Sequence, residues 1–142
     1  MRLALQEAQR AGSRGETPVG ALIAKGGEVV ATAGNRREQS NDPTAHAEIL
    51  AIRQAAAALG SWRLGGCSIY VTIEPCPMCA GAIYQARLDH LVYGAADEKA
   101  GAAGTLLDLV RNPKLNHRLE VTAGVLAEEA AALLRDFFGV RR

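Results

Sequence analysis

The sequence predicts an α/β protein in which helices sandwich a mixed sheet. Stretches with apolar residues at helical spacing alternate along the chain with short β-branched runs. The last two strand-like runs are joined by a connection too long for a hairpin, which suits a parallel pair. The predicted order is helix, two strands, helix, strand, helix, strand, short helix, strand and helix. This alternation is typical of a sheet covered by helices.

The first half of the chain predicts a helix, a hairpin and a second helix. Residues 2–12 carry apolar side chains at helical spacing. Two apolar runs flank Lys25-Gly26-Gly27 and predict an antiparallel hairpin over 19–35, because glycine accepts the positive φ of a tight turn. The apolar spacing in 45–59 predicts the second helix.

The second half predicts three strands and three helices. The β-branched run 67–73 suits a central strand, and prolines near a first turn suit the start of a helix over 75–87. The long connection 96–117 separates the last two strands. The remaining predicted elements are strands at 90–95 and 118–123, a short helix at 105–110 and an amphipathic helix at 125–138.

The chain is long enough for one domain with a substantial core. It has 142 residues, of which 49% are hydrophobic and 22% charged, a balance found in soluble globular proteins. We therefore expect a single domain over 1–142. Because the formal net charge is only +1, a nucleic-acid partner would have to be bound by a local patch and a shaped pocket.

No targeting or membrane segment is expected. No apolar run reaches the roughly 18 residues of a transmembrane helix. The amino-terminal residues lack the unbroken apolar stretch of a signal peptide, since Gln6, Glu7, Gln9 and Arg10 interrupt it. A cytoplasmic protein without a membrane partner is the expectation.

Cysteine spacing points to metal or redox chemistry. The chain has three cysteines, an odd number that argues against a secreted disulfide framework. Cys76 and Cys79 in "PCPMC" lie three positions apart at a predicted helix start, so both face one side and could chelate one ion. The positive end of a helix dipole also favours thiolates.

A second motif, "TAHAEIL", places His46 and Glu48 two positions apart. In a helix interior such side chains diverge, but at a first turn they need not. An imidazole from His46 added to two thiolates makes an N, S, S set, which favours zinc and leaves the fourth position open, as in catalytic sites. Glu48 then fits a proton carrier beside the metal rather than a ligand.

Other interpretations of these residues stay open at this point. His46 alone could be a core histidine, and the cysteines could form a closed structural zinc site or a redox pair. A redox pair would leave His46 and Glu48 without a role. Cys67 opens a strand and suits a small core residue, and Met78, Phe137 and Phe138 also suit the core.

The two motifs together match the His-x-Glu and Pro-Cys-x-x-Cys signature of zinc-dependent nucleobase deaminases. Beyond that signature, nearly the whole chain resembles the bacterial tRNA-specific adenosine deaminases. The segment 101–121 matters most, because it lies outside the motifs that all zinc deaminases share. The resembling segments are 15–21, 34–36, 42–49, 74–82, 101–108 and 116–121.

The resemblance implies a fold, a reaction and an assembly. The implied fold is the three-layer α/β/α sandwich of the cytidine-deaminase-like proteins, with a five-stranded mixed sheet whose last two strands are parallel. The implied reaction is hydrolytic conversion of adenosine to inosine at the wobble position (A34) in the anticodon loop of an arginine tRNA. The implied working form is a homodimer with one Zn²⁺ per subunit, with no DNA partner.

Residue roles also follow from the resemblance. His46, Cys76 and Cys79 match the zinc ligands, and Glu48 matches the residue that carries protons to the ring and the leaving ammonia. Asn35, which by itself could be a strand-end or turn asparagine, matches the residue that hydrogen-bonds the flipped purine. Asp97 and Lys99 match the loop that approaches the RNA.

A basic cluster near the predicted last strand could touch phosphates or be solvated surface. It lies in "RNPKLNHR", which contains no acid. We take Arg118 as its candidate RNA contact. The other basic residues with these two interpretations are Arg111, Lys114, His117, Arg141 and Arg142.

The strongest rival function belongs to the same superfamily. A deaminase of free guanine, cytosine or cytidine, or of a nucleotide, would keep every zinc residue, so only 101–121 and the basic cluster argue against it. A catalytically silent RNA-binding relative should lack the carboxylate at Glu48, which is present here.

Overall fold

The computed structural model describes residues 1–140, with side chains described through residue 139. Arg141 and Arg142, for which the sequence leaves phosphate contact and solvated surface both open, lie outside the described residues. Four helices and five strands are formed in this range. In chain order they are α1 (Arg2–Ser13), β1 (Gly20–Lys25), β2 (Glu28–Gly34), α2 (Ala47–Leu59), β3 (Cys67–Ile73), α3 (Pro77–Gln85), β4 (His90–Ala95), β5 (Glu120–Thr122) and α4 (Ala127–Val140).

The five strands form one mixed sheet in the order β2-β1-β3-β4-β5. β1 is antiparallel to both β2 and β3, whereas β3, β4 and β5 run parallel to one another. The predicted α/β class, the five-stranded mixed sheet and the parallel last pair are confirmed. The long connection after β4 performs the crossover that this parallel pairing requires.

The helices form two layers, one on each face of the sheet. α1 and α4 pack on each other and on one face, and α2 packs with α3 on the other. The predicted sandwich is therefore confirmed. Within residues 1–140, none of the helices combines the length and the apolar character that crossing a bilayer requires.

Small side chains let the layers approach closely. On one face of α2, Ala47, Ala51 and Ala55 are fully buried. On the opposite layer, a Cβ at Gly20 in β1 would overlap the carbonyl oxygen of Ala4 in α1. Glycine is thus required where α1 crosses β1, because any side chain there would push the helix off the sheet.

The hairpin between β1 and β2 turns where the sequence predicts. Gly26 and Gly27 have φ values of 58° and 82°, the positive pair that a two-residue type I′ turn needs. The strand and helix bounds elsewhere differ from prediction by a few residues, most clearly at β5, which is shorter than 118–123.

The predicted short helix at 105–110 is wrong. A β-bridge joins Ala103 to Asp108 instead, and Gly104 has φ +135°, which no helix accommodates. The N–H groups of Leu106 and Leu107 donate to the carbonyl of Gly101. Because the backbone donors find these partners, the apolar spacing of the segment is not expressed as a helix.

Strand direction brings three chain segments to one edge of the sheet. Gly34 at the end of β2 pairs with Gly20, and the neighbouring Ala21 pairs with Val71 near the end of β3. Ile73 pairs with Ala95 at the end of β4. The residues that follow β2, β3 and β4 therefore meet at this edge, where open α/β sheets commonly bind ligands.

Candidate metal centre and active site

The two sequence motifs lie at the first residues of two neighbouring helices. His46 is the N-cap of α2 and Cys76 is the N-cap of α3, and both have extended backbone angles. Pro77 occupies the first turn of α3, where its missing N–H costs nothing. The expected placement at helix starts is confirmed, and α2 begins at Ala47 rather than Ala45 because His46 is still extended.

Three side chains from these helix starts converge. The Nδ1 atom of His46 lies 3.3 Å from the Sγ of Cys79 and 3.7 Å from the Sγ of Cys76. The three candidate ligand atoms all lie within 4.8 Å of one another, close enough to hold a metal ion. Cys79 is buried, whereas His46 and Cys76 are partly exposed.

The two thiols of the cluster have pKa values shifted in opposite directions, because they share protons with each other and with His46. The hydrogen bond from Cys79 and then that from His46 lower the pKa of Cys76 to about 4. The same bond to Cys76, together with burial, raises the pKa of Cys79 well above its ordinary value. The hydrogen bond to Cys76 raises the pKa of His46. A cation among these groups would replace the shared protons.

Glu48 lies beside this cluster but deeper in the fold. Its side chain is 3% exposed, and this burial raises the pKa of its carboxyl. His46 opposes the rise by favouring the ionised form, and Cys76 adds to it. A buried carboxyl with a raised pKa binds and releases a proton closer to neutral pH than an exposed one, which suits general acid and base chemistry.

Asn35 follows β2 at the same edge and bridges two elements. Its Oδ1 accepts the N–H of Ala47 at 2.8 Å, and its Nδ2 donates to the carbonyl of Thr17 at 3.2 Å. The residue is 5% exposed. Asn35 thus fixes the first turn of α2, which begins beside His46.

The loop after β4 faces an open cavity of about 550 Å³. Asp97 and Lys99 line it together with Thr17, the partner of Asn35, and Phe138 of α4. The Oδ1 of Asp97 accepts the N–H of Lys99 at 3.0 Å. The structure therefore brings Asp97 and Lys99 near the asparagine that the sequence singles out.

The chain is similar to known deaminases in both sequence and fold. The family model of the MafB19-like deaminases matches residues 1–142. The tRNA-specific adenosine deaminase of Bacillus subtilis (strain 168) is 48% identical over 138 residues, covering 97% of this chain and 86% of the relative. The chain belongs to the deaminase family of the tRNA-specific adenosine deaminases.

Two solved structures are similar to this deaminase. One comes from studies of A-to-I editing by tRNA A34 deaminases at the wobble position. It has a TM-score of 0.91 and 48% identity, covering 94% of this chain and 97% of that chain. The guanine deaminase of Bacillus subtilis has a TM-score of 0.67 and 36% identity, covering 99% of this chain and 90% of that chain. The predicted cytidine-deaminase-like fold is confirmed.

Arg118 lies elsewhere on this deaminase. It precedes β5, whose first residue, Glu120, pairs with His90 at the start of β4. Arg118 is therefore at the opposite edge of the sheet from the metal-site helix starts, roughly 20 Å away at the rise of a strand. Its side chain is exposed, and the structure does not bring it together with the other predicted substrate contacts.

Two other residues of the basic cluster make contacts within the protein. Arg111 pairs with Asp108, just outside the acid-free stretch, at 2.9 Å. Its other end donates to the carbonyl of Ala103 at 3.0 Å. The Nε2 of His117 lies 2.7 Å from the carbonyl oxygen of Leu88. Lys114 and Arg118 therefore remain the cluster's candidate phosphate contacts.

Of the remaining predictions for single core residues, some are confirmed and some are wrong. Cys67 is a buried member of the hydrophobic core, as predicted. Met78 and Phe138 are 36% and 53% exposed, so their assignment to the core is wrong. Phe138 lies on the cavity wall because α4 passes over that edge of the sheet.

Sequence reasoning missed two buried acids next to the site in this deaminase. Glu74 directly follows β3, and Glu16 lies in the segment before β1; each is 1% exposed. The oxygens of Glu16 accept the N–H groups of Glu38 and Gln39 in the loop before α2. The sequence does place each acid next to a predicted buried strand. A carboxylate in such a position is expected to be buried and to need hydrogen-bond partners inside the protein.

Proposed function

We propose that this deaminase converts the wobble adenosine (A34) to inosine in the anticodon loop of an arginine tRNA by zinc-dependent hydrolysis. The observation that carries the proposal is the convergence of His46, Cys76, Cys79 and Glu48 at one sheet edge. It occurs in a chain 48% identical to a tRNA-specific adenosine deaminase. We further propose a cytoplasmic homodimer as the working form.

The donor set fits zinc. One imidazole nitrogen and two sulfurs within 4.8 Å of one another suit Zn²⁺, while Mg²⁺ and Ca²⁺ prefer oxygen. Three protein ligands, one site per subunit, leave a coordination position for a non-protein ligand. When bound, zinc supplies an acidified water for attack on the C6 carbon of adenine.

Glu48 then serves as the proton carrier. Burial raises the pKa of Glu48, so its carboxylate can move two protons in turn. The first goes from the attacking water to the ring nitrogen, and the second goes from the new hydroxyl group on C6 to the amino group, which leaves as ammonia. Its place in the first turn of α2, two residues after His46, keeps it beside the candidate ligands.

We assign Asn35 to the flipped base and the neighbouring cavity to the rest of the RNA loop. Asn35 uses one hydrogen of its amide nitrogen on Thr17, and the second hydrogen is the group we assign to the purine. Asp97 and Lys99 line the same cavity, and we assign them to the nucleotides that flank the target. A base in a single-stranded loop is partly unstacked, so extruding it costs little.

Arg118 is proposed as a contact to the stem rather than to the loop. It lies at the far edge of the sheet from the candidate metal site, a separation that only a longer RNA element could span. Its exposed guanidinium suits a phosphate. This assignment predicts that Arg118 matters for a stem-loop and not for a bare loop.

Deamination of free guanine is the second candidate. The observation that favours it is the 36% identity to the guanine deaminase of Bacillus subtilis over 99% of this chain. The two candidates use the same metal residues and differ only in substrate. The higher identity of 48% to the tRNA-specific deaminase supports the RNA substrate as the first candidate.

The test is incubation of the zinc-loaded protein with an arginine anticodon stem-loop carrying adenosine at the wobble position. Free guanine, cytosine, cytidine and adenosine are incubated in parallel, and products are separated after nuclease digestion. We expect inosine from the RNA alone. Deamination of a free base with intact RNA would replace the proposed substrate while keeping the metal chemistry.

A further inference from the structure

Glu74 is a buried carboxylate that neither the candidate metal site nor proton transfer uses. It follows β3, lies two residues before Cys76, and is 1% exposed. No salt bridge in the described part of the chain involves it. A buried carboxylate without a cation must be satisfied by hydrogen bonds, and its partners reveal what it holds.

All of its partners come from one loop. Oε1 accepts the N–H of Asp97 at 3.1 Å and the hydroxyl of Thr105. Oε2 accepts the N–H of Ala103 at 3.0 Å and that of Thr105 at 3.1 Å. The carboxylate thus joins both ends of the 97–105 loop.

The loop wraps tightly around the carboxylate. A Cβ built on Gly101 would lie 2.5 Å from the Cδ and Oε1 of Glu74, closer than real side-chain contacts allow. The next residue, Ala102, donates its N–H to the carbonyl of Pro75 at 2.9 Å. Glycine is therefore required at position 101, because it lets the loop backbone pass close to the carboxylate of Glu74.

The loop that Glu74 holds faces the cavity that the proposed function assigns to the RNA. Asp97 and Lys99 line that cavity, and the N–H of Asp97 is bound to Glu74. We propose that Glu74 is a positioning residue that fixes the 97–105 loop relative to Cys76, and thereby sets the affinity for the RNA substrate. The effect on affinity rests on the proposed function; the effect on the loop does not.

The test compares Glu74→Gln with the wild-type chain, both loaded with zinc. An amide cannot accept four hydrogen bonds, because one of its two terminal atoms is a donor. We expect KM for the anticodon stem-loop to rise about tenfold or more while kcat falls less than about threefold, with zinc content unchanged. Amide hydrogen exchange should accelerate within 97–105 and not elsewhere.

Separate changes in KM and kcat distinguish a positioning role of Glu74 from a loss of folded protein. Partial unfolding would lower kcat through the active fraction and leave KM unchanged. Glu28→Gln, which removes an exposed charge at the hairpin turn, is the control for net charge and should match the wild type. A fall in kcat at constant KM, or unchanged exchange in 97–105, would overturn the inference.

Two further variants keep the inference testable if Glu74→Gln fails to fold. Gly101→Ala leaves the carboxylate but drives a methyl group against it, and should reproduce the KM rise. Thr105→Val removes one of the four bonds and should give a smaller rise in the same direction. If the wild type does not deaminate RNA, the proposed function fails, while exchange in 97–105 still decides the role of Glu74.

Discussion

At the scale of single residues, the spacing of His46 and Glu48 is explained by the start of α2. His46 is the extended N-cap and Glu48 belongs to the first turn, so the imidazole turns toward the sulfurs of Cys76 and Cys79 while the carboxyl stays buried behind it. A pair two positions apart in the middle of a helix would have pointed in different directions. The two side chains thus divide ligation and proton transfer between them.

Glu48→Ala should remove turnover and leave the metal. We expect the deamination rate to fall by about 10²–10⁴-fold, the usual contribution of a positioned acid or base, with one zinc still bound per chain. Rates on the stem-loop and metal analysis of the same sample measure both. Loss of stoichiometric zinc in this variant would mean that Glu48 is a ligand.

His46→Ala should lose the metal. Two thiolates alone hold zinc poorly, and because metal binding contributes to folding, the variant should also melt at a lower temperature than the zinc-loaded wild type. His90→Ala, which alters a histidine at the start of β4, is the matched control and should retain zinc. A variant at His46 with one tightly bound zinc would contradict the ligand assignment.

Zinc affinity should fall as the pH falls. In the metal-free protein the hydrogen bond to Cys76 raises the pKa of His46, and the hydrogen bond to Cys76 together with burial raises the pKa of Cys79, so both groups bind protons at a higher pH than they ordinarily would. Cys76, with a pKa of about 4, is already ionised at neutral pH. Because zinc must displace the protons that remain, affinity should drop by about tenfold per pH unit for each displaced proton. Chelator competition between pH 8 and 5.5 measures this, and a flat profile would contradict it.

At the scale of elements, the sequence predicts helix and strand identity well wherever burial is one-sided. The hairpin turn at Gly26 and Gly27 and the strand 67–73 follow from local chemistry alone. The structure of segment 105–110 does not follow from local chemistry. Its backbone N–H groups donate to the carboxylate of Glu74, which is distant in sequence, and to the carbonyl of Gly101. Apolar spacing in a short segment cannot reveal a carboxylate that another strand supplies.

Gly20→Ala should destabilise the contact between α1 and β1. The added methyl group would overlap the backbone of Ala4, and overpacking of this kind costs about 1–3 kcal/mol. Thermal unfolding of the zinc-loaded protein should show a melting temperature several degrees lower. Gly139→Ala in α4, where an added Cβ meets no atom within 4 Å, is the control and should melt unchanged or slightly higher. Equal melting temperatures for Gly20→Ala and the wild type would contradict this packing.

At the scale of the whole molecule, the candidate site depends on strand directions that no single motif contains. Residues after β2, β3 and β4 meet because β2 and β3 are both antiparallel to β1, and so run the same way, while β4 is parallel to β3. The motifs predicted the metal residues, and the resemblance suggested Asn35 and Asp97. It could not show that Arg118 lies at the opposite edge, nor that Glu74 holds the substrate loop, since both depend on tertiary placement.

RNA binding should depend on salt only weakly, because the formal net charge is +1. Each phosphate contact contributes about 0.7–0.9 to the slope of log affinity against log salt. We expect Lys99→Ala to reduce this slope by about one for both a bare loop and a stem-loop, and Arg118→Ala to reduce it for the stem-loop alone. Fluorescence anisotropy across a salt series measures these slopes. An Arg118→Ala effect on the bare loop would contradict its assignment to the stem.

The central claim is that His46, Cys76 and Cys79 hold one zinc ion on which deamination of RNA depends. The most direct measurement adds zinc stepwise to metal-depleted protein and records the rate of inosine formation in the anticodon stem-loop at each step. We predict a linear rise that stops at one zinc per chain, and no rise in Cys76→Ala. A rate that does not change with zinc, or that levels off at another stoichiometry, would contradict the account.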